Sequence, residues 1–129
     1  MKIHHIGYLV KKLDKARSKF TELGYVEVSP VIRDEYREID ILFIEKDGYR
    51  IELVSAYTSD SVISGLHKKL GNNPYHICYE TDDFEKDLSE LENSGYVCYD
   101  EPHSAIAFDN RRVVFLINPY MGMIELVET

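Results

Sequence analysis

Two stretches of the chain carry the same pattern, and any fold it adopts has to satisfy that pattern twice. Residues 3–10, IHHIGYLV, and residues 74–81, PYHICYET, align His5 on His76, Ile6 on Ile77 and Tyr8 on Tyr79, an offset of 71 residues. The same offset carries Gly24-Tyr25-Val26 onto Gly95-Tyr96-Val97. Further on, Ile51-Glu52-Leu53-Val54 matches Ile124-Glu125-Leu126-Val127 at an offset of 73, a drift that one short loop insertion accounts for. The chain therefore reads as a duplicated unit whose polar residues recur at equivalent places.

Each copy reads as β-α-β-β-β. Residues 3–10 are apolar and rich in strand formers; Leu13, Ala16, Phe20 and Leu23 then share one helical face, which Gly24 ends. Residues 25–32 and 39–45 follow as strands, and Asp47-Gly48 is hairpin-turn chemistry before a strand at 49–55. Ile63, Leu66 and Leu70 recur at helical spacing within residues 59–70, and Gly71-Asn72-Asn73-Pro74 closes that linker helix. In the second copy Asp82 and Glu85 form a capping box, Phe84, Leu88 and Leu91 make the buried stripe, and Gly95 ends the helix. Strands at 96–100, 112–118 and 123–128 complete it, with 103–110 open between loop and short strand. The expectation is one α+β domain over 1–129, made of a module at 1–55, a linker at 56–73 and a module at 74–129.

Fifteen basic against 23 acidic residues, a net charge of -8, exclude a broad basic face for nucleic acid. No apolar run approaches the roughly 18 residues of a membrane span, and no signal-peptide core precedes the first strand, so the expected location is cytoplasmic. Cys78 and Cys98 fall inside strands without metal-binding or disulfide-framework spacing and read as small core residues.

Glu52 and Glu125 interrupt strands that otherwise look buried. An unpaired buried carboxylate costs several kcal/mol or is driven neutral, so each needs a cation, a salt bridge or exposure on the outer face of its strand. Strand alternation alone favours exposure. Repetition argues the other way, because a pseudo-twofold arrangement of the copies would bring His5, Glu52, His76 and Glu125 to a common point. Two imidazoles and two carboxylates form an N2O2 donor set suited to octahedral Ni, Co, Mn, Zn or Fe(II), with two positions left for water or substrate. Structural zinc would favour cysteine closure, for which the chain has no spacing.

Other polar residues carry weaker signals. His4 points to the opposite strand face from His5, and His67 reads as a solvated residue of the linker helix. His103 lies in a loop-like stretch, where a substrate contact is the less favoured reading. Asp40 alternates with Leu42 and Ile44 and is a further carboxylate candidate. Arg111 and Arg112 could hold an anionic substrate group, although paired basic residues at a strand start more often face solvent.

HHIGYLV, PYHICYETDDFEKDL and the closing MIELVE together resemble the vicinal oxygen chelate superfamily over the whole chain, and within it glyoxalase I and methylmalonyl-CoA epimerase. The resemblance implies paired βαβββ modules in a cupped mixed β-sheet around a divalent metal (Ni, Co, Zn or Mn), with helices outside. It places the metal ligands on His5, Glu52, His76 and Glu125, the set of bacterial glyoxalase I, whereas several epimerases have glutamine at the position of Glu52. It makes Glu125, with Glu52, the proton-transfer carboxylates, and puts Asp40 near the place where epimerases keep a catalytic glutamate. It implies a lyase or isomerase that moves a proton next to a carbonyl through a metal-stabilised enediolate. The substrate would be a small thioester, hemithioacetal or 2-oxo compound, and the assembly a homodimer. Alternatives in the same superfamily are an extradiol dioxygenase, which needs one carboxylate ligand, and a metal-free binder of the bleomycin-resistance type. Two departures stand out. Leu9 replaces the arginine that helps bind glutathione, and AIAFDNRRVVFL and NPYMGM replace the glycine-rich and lysine-containing loops usual in epimerases.

Overall fold

The computed structural model describes residues 1–129, and the chain divides into two compact units, His5–Tyr75 and Met1–His4 with His76–Thr129. The first unit contains β1 (Lys2–Leu9) from His5 onward, α1 (Leu13–Glu22), β2 (Val26–Glu27), β3 (Ile32–Asp34), β4 (Ile39–Lys46), β5 (Tyr49–Ala56) and α2 (Val62–Leu70). Its strands run in the order β2-β4-β5-β1, with β3 also on β4. The β1–β5 pair is parallel, from Ile6 opposite Ile51 to Leu9 opposite Val54, and the rest are antiparallel.

The second unit repeats this plan with β6 (Asn73–Thr81) from His76 onward, α3 (Phe84–Asn93), β7 (Val97–Cys98), β8 (His103–Ala105), β9 (Arg111–Asn118) and β10 (Gly122–Glu128). Its order is β6-β10-β9-β7, with β8 on β9 and the β6–β10 pair parallel. The expected mixed α+β architecture of two βαβββ modules is present. No helix is long and apolar enough to cross a membrane.

Alternation explains both cores. In the first unit, Leu42, Ile44, Ile51, Leu53 and Val10 form a buried cluster against which Leu13, Ala16 and Phe20 of α1 pack. In the second, Val114, Leu116, Ile124 and Leu126 pack with Phe84, Leu88 and Leu91 of α3. Burying such side chains stabilises each unit by about 1.5–3 kcal/mol per large residue. Asp47 and Gly48 both have positive φ, 53° and 83°, the geometry of a type I′ turn, which fixes the β4–β5 register.

Four local expectations change. The strand expected over 25–32 breaks into β2 and β3 around Pro30, which has no N–H to donate to a ladder. Ser29 fills the gap, its hydroxyl accepting the Phe43 N–H at 3.0 Å. Leu23 lies at the C-cap of α1 and is 66% exposed, and Tyr25 packs on the core in its stead. The α3 cap is Asp83 rather than Asp82: its carboxylate accepts the Lys86 N–H at 3.3 Å. Residues 103–110 resolve into β8 and a 3-10 turn at Ile106–Phe108.

Candidate functional site

In β1, Gly7 lies opposite Glu52 of the parallel strand β5. His5 precedes Gly7 by two residues and therefore shares its face, so the imidazole and the carboxylate project to the same side of the sheet, one diagonal step apart. The His5 Nε2 to Glu52 Oε1 distance is 3.5 Å, and the two residues are 1% and 3% exposed. On β4, Phe43 faces Glu52 directly and sets its ring edge-on to His5, centroids 5.5 Å apart at 74°.

The second unit reproduces the strand register and the ring contact. Cys78 of β6 lies opposite Glu125 of β10, and His76 precedes Cys78 by two residues. Phe115 of β9 faces Glu125 and meets the His76 ring at 5.2 Å and 81°. His76 and Glu125 are each 3% exposed. The exposed-strand alternative for the two glutamates is therefore excluded: both carboxylates lie inside strands buried on both faces.

A separation of 3.5 Å exceeds the 2.7–2.9 Å or so of a strong charge-assisted hydrogen bond. It lets both atoms face one ion with bonds of about 2.1 Å. Neutral imidazole and carboxylate both offer lone pairs, so a divalent cation matches the donor chemistry and offsets the cost of burying the charge.

The remaining candidates lie elsewhere. Asp40 shares its strand face with Leu42 and Ile44, the side packed on α1 and opposite to Glu52, and its two oxygens accept from Arg33 Nε and Nη2 at 2.9 and 3.0 Å. The structure thus separates Asp40 from the His5–Glu52 pair. His4 packs edge-on to Phe108 at 5.3 Å. His67 is half-buried rather than solvated, its Nε2 2.7 Å from Asn72 Oδ1. His103 donates from Nδ1 to the Ser104 carbonyl at 2.7 Å, and Arg111 donates to the Phe108 carbonyl at 2.9 Å.

Arg112 is occupied structurally. Its guanidinium grips both oxygens of Glu128 at 2.9 and 3.0 Å and Glu85 at 2.5 Å, and stacks 4.5 Å above the Phe84 ring. Hydrogen bonding to Glu128, then to Glu85, raises its pKa, and the same contact holds the Glu128 carboxyl below its ordinary value.

Sequence reasoning passed over Phe43 and Phe115 and the small residues Gly7 and Cys78 facing the glutamates. A signal for them existed: Phe43 and Phe115 are 72 residues apart, and Gly7 and Cys78 are 71 apart, within the drift of the repeat.

Known proteins agree with this architecture. The chain is 26% identical over 91 residues to the mitochondrial methylmalonyl-CoA epimerase of Mus musculus, covering 70% of this chain but only 51% of that enzyme, so it spans about half the length of that relative. Among solved structures, a hypothetical protein from Bacillus halodurans C-125 superposes with a TM-score of 0.86 at 22% identity, covering 99% of this chain and 94% of that one. The methylmalonyl-CoA epimerase of Mycobacterium tuberculosis superposes with a TM-score of 0.81 at 25% identity, over 98% and 87% of the respective chains. Residues 4–115 match the family model of the glyoxalase, bleomycin resistance protein and dioxygenase group, and the chain belongs to the Glyoxalase/Bleomycin resistance protein/Dioxygenase superfamily.

Proposed function

We propose that this protein is a metal-dependent isomerase or lyase of the epimerase and glyoxalase I type, its two units acting as one domain. In this reading His5, Glu52, His76 and Glu125 hold one divalent ion, Ni, Co, Zn or Mn. The carrying observation is that in each unit a buried histidine and a buried glutamate project from neighbouring parallel strands, with a phenylalanine ring edge-on to the histidine. The epimerases among the relatives favour proton transfer next to a thioester carbonyl over the other chemistries of the superfamily.

The bound ion would act as a Lewis acid on a substrate carbonyl. The protein's own part is to hold and move the proton. A carboxylate that swings off the ion in a dry, apolar surround is a stronger base than one in water, because burial disfavours its charged form. Glu125, or Glu52, removes the proton from the carbon next to the carbonyl; its return by the other carboxylate to the opposite face gives epimerisation, and its return by the same carboxylate to the neighbouring carbon gives the glyoxalase outcome. Phe43 and Phe115 fix the imidazoles and keep water from the carboxylates. Asp40, tied to Arg33 on the other strand face, has no part in the transfer. The reading includes a homodimer, supported by apolar residues exposed on the edge strands, Val26 at 65% and Val97 at 67%.

Incubating protein loaded with each metal in turn with methylmalonyl-CoA in D2O, and reading deuterium at the carbon beside the carbonyl by NMR, tests the reading. Exchange is expected with at least one metal. Absence of exchange with the thioester, a hemithioacetal and a related 2-oxo compound would overturn it. Iron-dependent oxygen uptake would instead support a dioxygenase, and the absence of any metal binding would support a binder.

A further inference from the structure

Arg111 lies away from the four proposed ligands yet on the same face of its sheet as Glu125. Phe115 faces Glu125 across the β9–β10 pair, and alternation along β9 puts Val113 and Arg111 on the Phe115 side. Val114 and Leu116, on the other side, pack with the α3 residues. Four residues of strand separate Arg111 from Phe115, about 13 Å. Every other arginine of the chain is ion-paired, as Arg33 is with Asp40 and Arg112 with Glu128. Arg111 has no carboxylate partner, in a chain with 23 acidic and 15 basic residues. Its Nε donates to the carbonyl of the buried Phe108 at 2.9 Å, which anchors the guanidinium and leaves its Nη atoms available to an anion.

The duplication supplies an internal control. At the offset of 72 that relates Phe43 to Phe115, Arg111 corresponds to Ile39, which is 4% exposed. An apolar side chain therefore satisfies the fold at this position, and the cation answers no packing requirement. The residue across the strand pair differs as well. Ile39 faces Asp34, whose carboxylate Arg37 engages, whereas Arg111 faces Ala105, which has only a methyl group. Ala105, Phe108 and Val113 are all buried, so an anion at the half-buried Arg111 meets the guanidinium beside an apolar wall, where the attraction is stronger than in open water.

We propose that Arg111 is a specificity-determining residue that recognises a carboxylate at the far end of the substrate's acyl chain. The inference rests on the proton-transfer reading, which puts the reacting carbon beside Glu125. A carboxylate on that carbon stays next to Glu125, so the anion that Arg111 meets belongs to the distal end of a longer acyl group. Between Glu125 and Arg111 this face presents only Val113, with no side-chain hydrogen bond to give. The span suits methylene groups better than the amide-bearing arm of a thiol carrier, whose polar groups would be buried unmatched.

Calorimetric titration of adipyl-CoA, hexanoyl-CoA and free coenzyme A into nickel-loaded and metal-free protein, for the wild type, R111Q and R111I, tests it. The two thioesters have acyl chains of equal length and differ only in the terminal carboxylate. The wild type is expected to prefer adipyl-CoA to hexanoyl-CoA at least about tenfold. R111Q, and R111I with the residue that the first unit uses at this place, should abolish the preference by weakening adipyl-CoA alone. Unmeasurable adipyl-CoA binding, no preference in the wild type, or a preference that survives in both variants would overturn the proposal. So would an equal loss for all three compounds in a variant with an intact circular dichroism spectrum, which marks a contact with the carrier. Deuterium exchange into methylmalonyl-CoA reads the proton transfer separately: exchange without the preference removes only the role of Arg111, and the preference without exchange removes only the proton transfer.

Discussion

His5 and Glu52 stand 3.5 Å apart on adjacent parallel strands, and the residue that faces Glu52 across that pair is Gly7, which has no side chain to fill the space. The equivalent residue facing Glu125 is the small Cys78. In both units the carboxylate can therefore lean toward its histidine, while a phenylalanine closes the opposite side. A small residue, a glutamate, a histidine two residues upstream and a phenylalanine across the hairpin form one unit of design, used twice.

This arrangement makes the metal-free protein sensitive to the charge of Glu52. Replacing Glu52 with glutamine keeps the shape and removes a buried charge, so the melting temperature of metal-free E52Q is expected to equal or exceed that of the wild type. Saturating metal at 100 times its Kd would stabilise the wild type by about 2.7 kcal/mol. E52Q and E52A should lose most of that gain. Thermal melts with and without nickel or zinc, paired with metal analysis, check this; full metal occupancy in E52A would remove Glu52 from the set.

The phenylalanines make a second prediction. An edge-to-face aromatic pair contributes about 0.5–1.5 kcal/mol beyond burial, and Phe43 is itself buried. F43L is expected to lower stability by roughly 1–3 kcal/mol and to weaken metal binding by freeing the His5 ring. F115L should do the same through His76, because the contacts match. Denaturant melts and metal titrations of the two variants are the measurement, and an effect confined to one of them would break the proposed equivalence.

Much of this was legible in the sequence because duplication marks polar residues that recur: His5 with His76 and Glu52 with Glu125 stood out before any strand was placed. The helix stripe of α3, the Asp47-Gly48 turn and the strand content followed from period and turn chemistry. What stayed hidden depends on which strands are neighbours. Asp40 shares the strand of Phe43 yet faces the other way, toward α1, and Arg33 on an adjacent strand claims it. Arg112 likewise pairs with Glu128 and Glu85, residues 16 and 27 positions away, which no local pattern reveals. Pro30 was visible, but not that Ser29 would replace the lost ladder bond.

Arg112 ties β9 to the end of β10 and to the first turn of α3, and pH exposes its contribution. Because Arg112 lowers the folded-state pKa of Glu128 from an ordinary 4.5, the ion pair contributes its full stability above that value. The contribution is lost as pH falls through the lowered pKa. Both partners are solvent-accessible, so the effect is small. R112A is expected to show a flatter decline of melting temperature below pH 4.5 than the wild type, with deuterium exchange into substrate at neutral pH retained. An identical acid profile would show that the pair is energetically silent.

The two cysteines should separate in reactivity. Cys78 is fully buried opposite Glu125, while Cys98 is partly accessible on β7, its thiol donating to Glu92 Oε1 at 3.4 Å. Burial, then the bond to Glu92, pushes the Cys98 pKa above its ordinary 9.0, so little thiolate is present at neutral pH. Iodoacetamide is expected to label Cys98 slowly at pH 7.5, with a rate that keeps rising beyond pH 9, and to label Cys78 only after unfolding. E92Q removes the nearby negative charge and should speed labelling of Cys98, because both Glu92 contributions act to raise its pKa. Mass spectrometry of the labelled peptides reads both sites at once; rapid modification of Cys78 in the folded protein would contradict the packing beneath Glu125.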